Sequence, residues 1–135
     1  MGKYTFIEHT ADIKFHLIGK TINDLFEQCV LAISEVISRG NRIKSIKKKI
    51  VSISAQDRES LLYQFIDHII YLLDAEYFIV SKAKVLIEKN KLKATLFGDD
   101  SKNYDDLDQI KAATYAEMKL KRSSIGWETD VVLDV

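Results

Sequence analysis

The chain has no proline, a single cysteine, five glycines and one tryptophan among its 135 residues. Without proline there is no linker signal, and nothing in the composition divides the chain. Cys29 on its own rules out an intrachain disulfide and any cysteine-built zinc cage. Its helical spacing from Leu25, Phe26 and Ile33 makes it a small core residue. No window approaches the roughly 18 uninterrupted apolar residues of a membrane span, and the opening residues lack the apolar stretch of a secretory signal. Phe6 stands where a myristoylation motif wants serine or threonine. A cytoplasmic protein without membrane contact is the expectation. Net charge is also lacking: Lys and Arg total 20, as do Asp and Glu, so there is no global basic field to drive non-specific nucleic-acid binding. Walker, Gly-x-Gly-x-x-Gly and Gly-x-Ser-x-Gly signatures are missing, which leaves nucleotide hydrolysis and serine-type catalysis without support.

What is present is patterned. With 47% hydrophobic and 30% charged residues, the length suits one compact domain spanning 1–135. From Asp12 to Ile18 the residues alternate, Ile13, Phe15 and Leu17 on one face and Asp12, Lys14 and His16 on the other, which predicts a half-buried strand. Thr21 then caps a helix with Leu25, Phe26, Cys29, Val30, Ile33, Val36 and Ile37 at helical spacing as far as Gly40. Residues 41–49 read as a basic, solvated connection to a short strand around Ile50–Ser54. Asp57 caps a second helix whose apolar stripe, from Leu61 to Leu73, is so wide that this helix is expected to be the central one. Period two returns in Ala83, Val85 and Ile87, turns at Asn90, and resumes in Leu92, Ala94 and Leu96 as a hairpin. Ala112 to Leu120 alternate again, and a last strand runs from Trp127 to Val135. The order argues α+β, two helices packed on a mixed or antiparallel β-sheet.

The residues with chemical promise lie at the two ends. Glu128, Asp130, Val132 and Asp134 share one face of the last strand, and Val135 adds a terminal carboxylate. A sheet that brought Asp12 to Asp134 would create repulsion requiring a divalent cation, a lysine or a shared proton between them. Clustered carboxylate oxygens are the hard donors that Ca²⁺ and Mg²⁺ prefer, although an exposed strand-end carboxylate is ordinarily just solvated. The acidic run from Asp99 to Asp108 lacks EF-hand spacing and reads as a mobile solvated loop. His9, His16 and His68 show no metal-ligand spacing, and His68 is expected to be satisfied or solvent-facing. The basic stretch 39–49 has no interleaved aromatics to stack on bases.

Four stretches, in order, resemble the archease family. These are Phe6-Ile7-Glu8-His9-Thr10-Ala11-Asp12-Ile13; the helix from Leu61-Leu62-Tyr63-Gln64-Phe65-Ile66 to Tyr71-Leu72-Leu73-Asp74; Ile110-Lys111-Ala112-Ala113-Thr114-Tyr115; and Val131-Val132-Leu133-Asp134-Val135. The resemblance implies a metal-binding activator of the RNA-splicing ligase, which joins a 3′-phosphate or 2′,3′-cyclic phosphate end to a 5′-hydroxyl in tRNA splicing and RNA repair. Such an activator is not itself an enzyme: it promotes guanylylation of the ligase and its multiple turnover, and it meets RNA only indirectly. By position, Asp12, Asp134 and Val135 are the implied metal ligands, calcium the usual ion with Mg²⁺ or Mn²⁺ as substitutes, and Lys111 a ligase or nucleotide contact. Lys14, Gln109 and Ala116 depart from the family pattern, which commonly has glycine, an acidic residue and histidine there. Two other classes stand beside this reading. One is a stand-alone metal-dependent phosphoester hydrolase, the other an RNA adaptor that binds through residues 39–49.

Overall fold

Residues 2–7, 12–114 and 118–135 are described by the computed structural model. In chain order the elements are β1 (Lys3–Ile7), β2 (Ile13–Gly19), α1 (Ile22–Ser38), β3 (Lys47–Ser54), α2 (Arg58–Glu76), β4 (Phe78–Glu88), β5 (Lys91–Asp100), a 3₁₀ turn (Ser101–Asn103), β6 (Ala112–Thr114), β7 (Lys121–Ser123) and β8 (Gly126–Asp134). The class is α+β, and every strand pairing is antiparallel. The strands divide between two sheets. One has the order β1-β2-β8-β6, with β7 also on β8; the other has the order β3-β5-β4. Periodicity reports which face of a strand is apolar but not which strand lies beside it, so this division was not expected.

The first helix starts where the Thr21 hydroxyl accepts the Asp24 amide at 3.1 Å. It ends where Arg39 (φ 56°) and Gly40 (φ 83°) turn left-handed, a conformation glycine adopts without a Cβ penalty. Asp57 caps the second helix by accepting the Ser60 amide at 2.7 Å. Contrary to the width of its stripe, α2 is not the more enclosed helix. Eleven of the 17 residues of α1 are buried, against seven of 19 in α2. The reason is position: α1 lies against β1, β2 and β8 of one sheet and β4 of the other. Phe15, Leu17, Leu25, Phe26, Leu61 and Phe65 are fully buried along this seam, each stabilising the fold by roughly 1.5–3 kcal/mol.

Two polar side chains of α1 complete the union. Asn23 Oδ1 accepts the Ile87 amide and Glu27 Oε2 accepts the Val85 amide, both at 2.8 Å. β4 is an edge strand, so these residues, one helical turn apart, satisfy backbone donors that an uncovered edge would leave open.

Two segments differ from their sequence-based expectation. β3 begins at Lys47, so three lysines lie in a strand rather than in a connection. Among the described residues of the alternating run from Ala112, Ala112–Thr114 pair as a strand, while Leu120 gives its amide to Glu59 Oε2 of α2 at 3.1 Å instead of to a ladder.

Candidate functional site

The β2–β8 ladder pairs Ile13 with Leu133, His16 with Asp130 and Ile18 with Glu128. Phe15, Leu17, Val131 and Leu133 point to the core and are fully buried. The intervening residues therefore share the opposite face, the one carrying the polar side chains. Asp12 precedes Ile13 and Asp134 follows Leu133, so the two residues flank the last pair of this ladder. Asp12 is half-buried and Asp134 exposed.

β6 brings in the third strand. Ala112 pairs with Asp134 and Thr114 with Val132, while the Lys111 amide donates to the Asp134 carbonyl at 2.8 Å. The backbone of Lys111 is thereby fixed beside Asp134, and its side chain is exposed. Thr114 lies on the same face as the two carboxylates, and its buried hydroxyl oxygen has no hydrogen-bond partner among the described residues. Val135 follows, 41% exposed. No group of three or more His, Cys, Asp or Glu side chains suited to a metal ion occurs among the described residues. The side-chain carboxylates beside this end of the ladder are those of Asp12 and Asp134. Their chemistry fits a hard divalent cation, which favours oxygen ligands and tolerates irregular geometry.

A shallow cavity of about 510 Å³ reaches Asp12, lined also by Phe6, Ile7, Glu35 and Arg39. Phe6 and Ile7 are 39% and 40% exposed, an apolar margin beside the carboxylates. Phe6 is held edge-on between Tyr4 and Phe15, with ring centroids 5.6 and 5.8 Å away. Tyr4 donates to Glu35 Oε1 at 2.6 Å; its burial, helped by that carboxylate, pushes the phenol up to about 12.

Further along the same face is a constellation that periodicity alone did not reveal. His16 Nδ1 lies 2.7 Å from Asp130 Oδ1, and Nε2 lies 3.6 Å from Glu128 Oε1. Lys119 and Lys121 line the small cavity of about 220 Å³ at this cluster. The available signal was the polar face of each strand; the missing information was the register that sets His16 opposite Asp130. His68 is half-buried, its ring centroid 5.8 Å from that of Tyr71. His9 and Ala116 lie outside the described residues.

The acidic run is a structured element at its start, not a mobile solvated loop. Asp99 is 3% exposed and accepts hydrogen bonds from the Tyr104 hydroxyl (2.8 Å), the Asp100 amide (2.8 Å) and Asn103 Nδ2 (3.3 Å). The Tyr104 bond in particular holds this carboxyl below the usual carboxylate range. The basic run is likewise divided by its strand geometry. Lys47 approaches Asp100 at 4.0 Å, Arg39 approaches Asp108 at 3.9 Å and Lys49 pairs with Glu76, while Lys48 projects to the other face of β3.

Comparison with known proteins agrees with this architecture. Residues 4–135 match the Archease protein family. The chain is 32% identical to protein archease of Pyrococcus furiosus over 145 aligned positions covering all of both chains. It is 30% identical to protein archease of Methanosarcina mazei, with 98% of this chain and 96% of that one covered. The solution structure of protein 1598 of Methanobacterium thermoautotrophicum superposes with a TM-score of 0.78 at 24% identity, covering 98% of each chain. A Thermotoga maritima crystal structure, described as an archease and possible chaperone, gives 0.69 at 24% identity, covering 96% of this chain and 94% of that one.

Proposed function

The chain belongs to the archease family, and from that premise we propose that it is a metal-binding activator of the RNA-splicing ligase, promoting the ligase's guanylylation and multiple turnover in tRNA splicing and RNA repair. The observation that supports the reading is the β2–β8 register, whose last pair, Ile13 with Leu133, is flanked by Asp12 on one side and Asp134 on the other. Asp12, Asp134 and Val135 would hold the ion, calcium foremost and Mg²⁺ or Mn²⁺ in its place. When bound, the cation would neutralise the facing carboxylates and offer a positive centre to oxygen ligands of the partner's active site.

The chain's own residues supply the rest. The half-buried Asp12 gives the site a fixed member, and the exposed Asp134 leaves it open toward a second molecule. Phe6, Ile7 and Val135, each about two-fifths exposed, form an apolar margin suited to a protein partner. Lys111, anchored through its backbone to Asp134, is positioned for a ligase or nucleotide contact. An accessory role accords with the description of the Thermotoga maritima relative as a possible chaperone. The hydrolase reading needs a general base at the metal, and the described histidine on this face, His16, is already engaged by Asp130 and Glu128. The adaptor reading loses its contiguous basic patch to the ion pairs of Arg39, Lys47 and Lys49.

The deciding experiment is multiple-turnover ligation at substoichiometric cognate ligase, with no addition, with this protein and with its Asp12→Ala variant. Stimulated turnover and guanylylation with wild type, lost in the folded variant, is the expected result. No stimulation by folded wild-type protein would overturn the reading.

A further inference from the structure

The second sheet has a face that no other described element covers. Its inner face packs Val51, Val85, Leu92, Ala94 and Leu96 into the core, all of them buried. On the other face the register aligns four cross-strand rows: Lys48-Phe97-Lys82, Ile50-Thr95-Lys84, Ser52-Lys93-Leu86 and Ser54-Lys91-Glu88. Ile50 is 67% exposed and Leu86 60% exposed, so no other described element lies over them. Five lysines share this surface with one carboxylate, Glu88, in a chain whose total charge is zero. None of the five makes an ion pair with a described residue. Lys82 instead places its ammonium 5.8 Å from the centroid of the Phe97 ring.

We propose that this open face of β3-β5-β4 binds a single-stranded nucleic acid, its lysines taking the phosphates and Phe97 a base. Uncompensated charge selects a polyanion, and an aromatic ring flanked in register by two lysines distinguishes a nucleotide chain from an acidic peptide. Successive same-face residues on a strand lie about 6.6 Å apart, so Lys82 and Lys84 on β4, then Lys93 and Lys91 on β5, occupy four successive rows and form one stepped track of charge. Beside it, Ile50 on β3 and Leu86 on β4 offer apolar surface for base edges. This surface is separate from the Asp12–Asp134 end of the other sheet, and of its lysines only Lys48 belongs to the basic stretch 39–49. The inference does not depend on the ligase reading.

Fluorescence anisotropy of labelled 12-residue oligo(U), oligo(dT) and oligoglutamate tests it on the isolated full chain. Binding of one or both nucleotide chains at 50 mM salt is expected, the pair of oligonucleotides separating RNA from DNA preference. Raising salt to 200 mM should weaken it roughly 20- to 100-fold, the response to three to five phosphate contacts. Lys84→Glu/Lys93→Glu, both at exposed positions, should weaken it at least about tenfold. Phe97→Ala should weaken it roughly 5- to 100-fold. Ultraviolet cross-linking of wild-type protein to 4-thiouridine oligomers should map to peptides containing residues 48–54 or 82–97, a readout that does not depend on variant folding. The proposal is overturned by absent oligonucleotide binding at 50 mM salt, by binding unchanged in the folded double variant, by cross-links elsewhere, or by oligoglutamate binding as tightly as the oligonucleotides.

Discussion

His16 and Asp130 face each other across the β2–β8 ladder, joined side chain to side chain at 2.7 Å, with Glu128 on the far side of the imidazole. A carboxylate can only accept, so the tautomer that makes this bond carries its proton on Nδ1. Both side chains are about 30% exposed, so the bond is partly shielded from water. A double-mutant cycle with His16→Ala and Asp130→Ala, read by urea unfolding, should give a coupling of about 0.5–1.5 kcal/mol. Additive single effects would assign the pair no stabilising role.

Asp12 and Asp134 should respond to divalent metal in a way His16 does not. If the ion binds only the folded chain, calcium at a hundredfold its Kd stabilises by about 2.7 kcal/mol, a rise in Tm of roughly 9 °C for a chain of this length. Asp12→Asn and Asp134→Asn should each abolish the rise, and excess EDTA should reverse it in wild type. A full response retained in both variants would place the ion elsewhere.

Asp99 should matter only where it is ionised. Its folded-state pKa lies below the ordinary value, so its contribution is fully present above the unfolded-state value of about 3.9 and is lost as pH falls through the folded value. Asp99→Asn should therefore lower Tm at pH 7, with the gap to wild type closing below about pH 4. Thermal melts across this range check it; a gap that persists at low pH would assign the loss to packing. Tyr104→Phe, which removes the 2.8 Å donor, should reproduce part of the effect.

Asn23 and Glu27 guard the β4 edge. Replacing either by leucine leaves a strand amide without its acceptor, at a cost of about 1–3 kcal/mol in unfolding free energy. The double variant should also aggregate faster on mild heating, because the strand edge becomes available to another chain. Light scattering beside urea titration separates the two consequences.

Much of this architecture is legible in the residues themselves. The Thr21 and Asp57 caps, the hairpin turning at Asn90 and the polar face carrying both Asp12 and Asp134 follow from local patterns, because caps, turns and alternation are properties of neighbouring residues. The less visible features depend on partners distant in sequence. Lys47, Lys48 and Lys49 conceal their strand because identical residues display no alternation. Asp99 looks solvated until the 3₁₀ turn at Ser101–Asn103 returns Tyr104 to it. The enclosure of α1 cannot be inferred from its stripe, since it arises from a second sheet on its other side. The same limit applied to the polar face of β2 and β8: facing was readable, but register was needed to bring His16 to Asp130.

The position of β8 bears on how the chain acquires its shape during synthesis. It follows every other described element in chain order, yet it occupies the middle of its sheet, between β2 and β6. The strands of the other sheet and both helices emerge from the ribosome earlier and have their partners available, whereas β2 must wait more than a hundred residues for its inner neighbour. During that interval one edge of the β1–β2 hairpin has no strand to pair with. Chains interrupted before residue 126 would retain that open edge permanently, marking them for aggregation or degradation.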